Sequence, residues 1–213
     1  DLSAMLALPE GREFLMTLIF KANSSLEFIG DSITDSGRRE PGCAPLGCGY
    51  VQDIACLLQA GYPELQLKVI NTGINGDRTL DLAARWHEDV LDVQPDWLFI
   101  YIGVNDVWRY FDGSPDQAVD LAAFTETYHG LLKSTLANIT AHIRLVAPFL
   151  AEQDKGDPFR ERLGAYQAAI DQIGAGYSIP VIHLQPAFDW AMLSQPAAYW
   201  AGDRVHPTTE GHM

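Results

Sequence analysis

The chain is short of several things that would point to particular functions. Basic residues are scarce, 14 against 28 acidic ones, for a net charge of −14. A main partner that is nucleic acid or an anionic membrane surface needs a basic face, so both are excluded as primary ligands. No apolar run reaches the roughly 20 residues that span a bilayer. The apolar segment 14–20 is short and lacks the basic start and small-residue cleavage site of a signal peptide, so a soluble, cytoplasmic protein is expected. Only three cysteines are present. Cys43 and Cys48 share a Gly/Pro-rich loop and could pair, whereas Cys56 falls in a helical pattern and reads as a small core residue. No Cys/His spacing suggests zinc, and no phosphate loop or dinucleotide fingerprint is found, so neither metal nor cofactor is expected. The G-x-S-x-G elbow is missing too, because Thr34 stands where its second glycine would be. Internal repeats and low-complexity segments are likewise absent.

What remains is 213 residues of ordinary globular composition, 47% hydrophobic, enough for one domain with a sizeable core. Residues 1–21 read as an N-terminal extension, in which Met16 is a candidate start, and residues 22–213 as the domain proper. Short apolar runs at 26–29, 67–71, 97–102, 143–147 and 181–184 read as buried strands. Helical spacing marks 50–60, 121–139 and the segment from Phe159 to Ile173. A further helix after Asp77, which can cap it, carries Leu80, Leu82, Ala83 and Trp86, and a short one lies around 188–193. Strands alternating with helices imply an α/β fold with a five-stranded parallel sheet covered on both faces. In such sheets ligands bind at the carboxyl ends of strands, beside the point where the strand order reverses.

The chemically suspicious residues follow that rule. Ser32 stands where the first strand turns into helix, in Gly30-Asp31-Ser32-Ile33. Helix-start N–H groups are unpaired there, and a hydroxyl so placed can attack a carbonyl, although a plain N-cap is the bland alternative. Gly73 follows the second strand, Asn105 the third, and Asp203 with His206 the fifth. A serine nucleophile needs a base and a carboxylate to orient it, which His206 and Asp203 supply three residues apart. The other five histidines lie in strand or helix patterns or, for His212, next to the last residue. For the oxyanion, the candidate donors are the Ser32 and Gly73 backbone N–H groups and the Asn105 amide. Asp106 reads as a loop-holding residue. The aromatic-rich loop 108–111 reads as a wall of the cleft, with Asp31, Trp108 and Arg109 as the expected substrate contacts.

These four blocks, Gly30-Asp31-Ser32-Ile33, Asn71-Thr72-Gly73, Gly103-Val104-Asn105-Asp106 and Asp203-Arg204-Val205-His206-Pro207, resemble in order and placement those of the GDSL/SGNH hydrolases. The resemblance covers residues 26–212, and the run on to Val107-Trp108-Arg109 is similar to a bacterial branch of lipolytic and acetyl esterases. It implies a flavodoxin-like three-layer α/β/α sandwich, Ser32, His206 and Asp203 as the catalytic triad, and Ser32, Gly73 and Asn105 as the oxyanion hole. It also implies a small-molecule ester substrate with a short acyl group. A lysophospholipase or thioesterase, or a non-catalytic binding module with a degenerate site, are the alternatives. Family members usually continue into a closing helix where this sequence stops, so apolar side chains near the first strand are expected to be exposed. Residues 1–15, or a second copy in a homo-oligomer, are expected to cover them.

Overall fold

In the computed structural model, which describes residues 19–213, five strands form one parallel sheet. The chain runs β1 (Ser25–Gly30), α1 (Ser32–Asp35), α2 (Tyr50–Gly61), β2 (Lys68–Asn71), α3 (Thr79–Trp86), β3 (Trp97–Tyr101) and α4 (Val104–Trp108). It continues through α5 (Leu121–Asn138), β4 (His142–Ala147), α6 (Pro158–Tyr177), β5 (Val181–His183), α7 (Gln185–Ala191), α8 (Ala197–Trp200) and α9 (Thr209–His212). Strand order is β2-β1-β3-β4-β5, so the winding reverses between β1 and β3 and opens a crevice at their carboxyl ends. The three-layer α/β/α sandwich expected from the sequence is what the chain forms.

Alternation along the strands sorts the two faces. Leu26 and Phe28 of β1 and Trp97 of β3 point toward α2, where Phe28 stacks on Phe99 at 4.6 Å. Ile29, Leu98 and Ile100 point the other way, into the larger core with Leu82, Phe124, Tyr128, Leu163 and Ile170 from α3, α5 and α6. The indole of Trp86 donates to Thr135 Oγ1 at 3.0 Å, which satisfies its N–H inside that core.

Two local readings are corrected. Cys56 is exposed, because α2 turns only Val51 and Ala55 fully into the sheet. Asp77 does not cap α3; it pairs with Arg85 at 2.8 Å, while the Asp106 carboxylate takes the Thr79 N–H at 3.1 Å. Cys43 and Cys48 form a disulfide. On the α2 face an apolar groove of about 290 Å³ runs from Ile54 and Leu57 past Phe28 and Tyr101 to Ile182 and Met213. The β1 side chains Leu26, Phe28 and Ile29 are themselves buried, and the exposed apolar surface along this groove lies at Leu57, Ile182 and Met213. Its expected cover, residues 1–15, lies outside the described residues.

Glu27 sits in β1 with no exposed surface, its Oε1 accepting from Thr72 Oγ1 at 2.8 Å. Burial pushes its carboxyl up to about 8 against the pull of that hydrogen bond. In an unfolded chain a glutamate ionises near about 4.3. The folded state thus keeps a proton that the unfolded chain has lost, so stability falls as pH rises between those values and levels off above. Glu27→Gln, neutral throughout, is expected to flatten the fall in urea midpoint across that interval. Identical pH slopes for the two proteins would show that Glu27 is ionised in the fold.

Candidate active site

The Ser32 site begins with a backbone that only glycine allows. A Cβ on Gly30 would lie 2.2 Å from the Tyr101 carbonyl oxygen and 2.6 Å from Thr34 Oγ1, so the end of β1 presses on β3 as the chain turns into α1. Asp31 caps that helix, its Oδ1 accepting the Ile33 N–H at 3.0 Å. Ser32 is then the first helical residue, and its N–H makes no hydrogen bond among the described residues. Asp31 itself has no exposed surface, and burial pushes its carboxyl up to about 7. It holds the helix start and is not at the cleft surface, contrary to the expected substrate contact.

Ser32 Oγ is 2.7 Å from His206 Nε2, and His206 Nδ1 is 2.6 Å from Asp203 Oδ2. The other Asp203 oxygen accepts the backbone N–H groups of Val205 and His206, at 3.0 and 2.8 Å. Burial acts to raise the Asp203 carboxyl, but the hydrogen bonds from the ring and from those two N–H groups outweigh it and hold the group below its ordinary range. The tight turn is possible because Arg204 adopts a left-handed φ of 74°. That residue is pinned from three sides: its carbonyl accepts from Ala151 at 2.8 Å, and its guanidinium meets Glu152 and Asp157, each at 3.0 Å. Val205, fully buried, anchors the turn to the core.

Asn105 is brought in by α4, which starts directly after β3. The segment expected as a loop is helical from Val104, and Gly103 at φ 128° makes the entry. One amide hydrogen of Asn105 goes to the Asp77 carbonyl at 3.0 Å, and the other has no partner among the described residues. Asp106 is buried and ties α4 to α3 through Thr79, so its structural reading stands. Gly73 packs against α1, but its N–H donates to Asn71 Oδ1 at 2.9 Å. Of the three expected oxyanion donors, two are thus open and one is engaged.

The aromatic loop divides. The Trp108 ring stands edge-on to His206 at 5.5 Å, whereas Phe111 stacks on Phe159 at 5.1 Å and Tyr110 lies under the Arg162 guanidinium at 3.9 Å. Arg109 pairs with Asp112 at 2.5 Å and does not line the cleft. That cleft, about 320 Å³, is polar: Asp35, Arg39, Glu40 and Asn75 surround Ser32 and His206. Sequence reasoning missed Arg39, Glu40 and Asn75, because their loops carry no pattern tied to Ser32. No group of three or more His, Cys, Asp or Glu residues is placed to hold a metal among the described residues. No described helix is long and apolar enough to cross a membrane.

Strand order and the serine–histidine–aspartate line at the strand ends define a class: three-layer α/β/α hydrolases with the SGNH architecture. Residues 28–213 match the GDSL-like Lipase/Acylhydrolase family, and the chain belongs to it, as a carboxylic ester hydrolase. It is 40% identical to an acetylxylan esterase of Geobacillus stearothermophilus over 198 residues, 90% of each chain. The crystal structure of Axe2, an acetylxylan esterase from that organism, is similar with a TM-score of 0.85 and 40% identity, over 91% of this chain and 90% of that one. LAE5, an alpha/beta hydrolase enzyme from the metagenome of Lake Arreo, Spain, matches with a TM-score of 0.85 and 34% identity, over 91% of both chains.

A Cβ on Gly73 would stand 2.3 Å from the Asp35 nitrogen and 2.7 Å from the Thr34 carbonyl carbon, both in the backbone of α1. Gly73→Ala must therefore move the helix that carries Ser32. A displacement of about 1 Å there is expected to lower kcat on the order of 100-fold, with a reduced melting temperature. Parental kcat in the variant would show that α1 has room to shift.

Proposed function

We propose that this enzyme is a serine esterase that removes acetyl groups from a carbohydrate of the acetylated xylan type, through an acyl-enzyme on Ser32. The observation that carries the reading is the unbroken line from Ser32 Oγ through His206 to Asp203, at 2.7 and 2.6 Å. His206 takes the serine proton as Oγ attacks the acyl carbonyl, and Asp203 holds the ring in the tautomer that leaves Nε2 free to accept it. His206 then protonates the departing alcohol, and water enters from the cleft to release acetate. The open Ser32 N–H and the free Asn105 amide hydrogen receive the oxyanion, and the Gly73 N–H joins them by exchanging Asn71 for the developing charge. Catalytic mutants of Axe2 replace a serine, an aspartate or a histidine, with the last two three positions apart as Asp203 and His206 are. That parallel supports the assignment.

The carbohydrate side rests on the cleft chemistry. Asp35, Arg39, Glu40 and Asn75 offer donors and acceptors to hydroxyls, and an acyl-lipid alcohol would find little apolar wall beside Ser32. The Cys43–Cys48 disulfide lies just after Arg39 and Glu40 in the chain and supports an oxidising compartment in place of the expected cytoplasm.

Ser32→Ala is expected to lower hydrolysis of acetylated xylo-oligosaccharides by on the order of 10³-fold or more and to abolish labelling by a fluorophosphonate, with the fold unchanged by circular dichroism. Activity within about tenfold of the parent removes Ser32 from the nucleophile role. In a panel varying the alcohol, faster turnover of lysophospholipids or thioesters than of acetyl sugars would replace the substrate class.

The Trp108 ring stands beside the His206 imidazole. Trp108→Ala is expected to raise kcat/KM for butyryl over acetyl esters by roughly tenfold, as a removed indole frees several methylenes' worth of space. An unchanged acyl-length profile with lower stability would assign the ring to packing alone.

A further inference from the structure

Arg85, on α3 and far in sequence from every motif, has four hydrogen-bond partners. Its Nε donates to Asp77 Oδ2 at 2.8 Å, and one terminal nitrogen to the Thr72 carbonyl at 2.7 Å and to Asp89 Oδ2 at 2.5 Å. The other terminal nitrogen donates to the Gly30 carbonyl at 3.1 Å. Three of these four acceptors bear directly on an oxyanion donor. Thr72 C=O and Gly73 N–H belong to one planar peptide unit, so fixing the oxygen fixes the direction of the N–H. Gly30 lies two residues before Ser32 and ends the strand from which α1 departs. Asp77, whose carboxylate Arg85 grips, offers its own carbonyl to the Asn105 amide. The side chain of Arg85 is only 13% exposed, so water does not compete freely for these bonds.

We propose that Arg85 is the positioning residue of the oxyanion hole, one guanidinium that sets the Ser32, Gly73 and Asn105 donors relative to one another. The proposal rests on the reading of those three as the hole. Arginine is required because its rigid fork presents donors in several fixed directions, which a lysine ammonium on a flexible stem does not reproduce. Arg85 touches neither Ser32 nor His206 and enters no proton transfer. Its effect therefore falls on the transition state, where charge reaches the oxyanion, and not on substrate affinity or on the His206–Asp203 pair.

A double-mutant cycle with Asn105 tests this, using an acetyl ester such as p-nitrophenyl acetate. Arg85→Lys is expected to lower kcat about 10- to 100-fold with KM within about twofold, and the pH midpoint of kcat/KM unchanged. In an Asn105→Ala background the same substitution is expected to cost less than about threefold, because the hole is already broken. Equal penalties in both backgrounds, or a rise in KM alone, would overturn the positioning role. Should Arg85→Lys fail to unfold cooperatively, Asp77→Asn, which removes one grip and keeps every backbone group, carries the same cycle with the same outcomes. Asn105→Ala with parental kcat would instead overturn the hole itself. A slow Asn105→Ala beside a fully active Arg85→Lys leaves the hole standing and removes Arg85 from it.

Discussion

At Gly30, β1 lies so close to β3 that any side chain would collide with the Tyr101 carbonyl. That approach fixes where the chain leaves the sheet, hence where α1 begins and where Ser32 stands. The remainder of the active edge is measured from this point. The Ile74 N–H donates to the Gly30 carbonyl at 3.0 Å, which draws the loop after β2 alongside. Gly73 then packs against α1 with no space for a Cβ. Because β1 sits between β2 and β3, a shift of its end would move two neighbours at once. Parallel pairing on both sides resists such a shift, since each edge of β1 is bonded along its length.

The strands and long helices were readable because their patterns are local. Trp97–Tyr101 is apolar throughout because both its faces are covered, and α5 and α6 show a 3.6-residue stripe that faces the sheet. The line from Ser32 through His206 to Asp203 was readable for a different reason: its members follow strands, and parallel topology gathers strand ends. What escaped is what depends on pairs distant in sequence. Asp77 looks like a cap by position, yet the cap of α3 comes from Asp106, which nothing near Thr79 announces. Nothing in the sequence ties Arg85 to Gly30, Thr72 and Asp77, which surround it in the fold. Asp31 was expected at the cleft from its place beside the serine, but as N-cap it turns back beneath the helix. Glu27 did carry a signal, a charge inside an apolar strand run, since such residues are seldom fully buried without a partner.

Acidic groups surround the reacting centre in two different states, and the difference suits the proposed chemistry. Glu27 and Asp31 are sealed from water, and burial pushes them up to about 8 and about 7. Asp203 is half-exposed and keeps its charge, through hydrogen bonds from His206 and two backbone N–H groups. An ionised Asp31 beside Ser32 would oppose the negative charge that builds on the substrate oxygen. Burial of Asp31 favours its neutral form and so reduces that penalty. The ionised Asp203 lies instead beyond the imidazole, where its charge stabilises the imidazolium formed when His206 takes the proton.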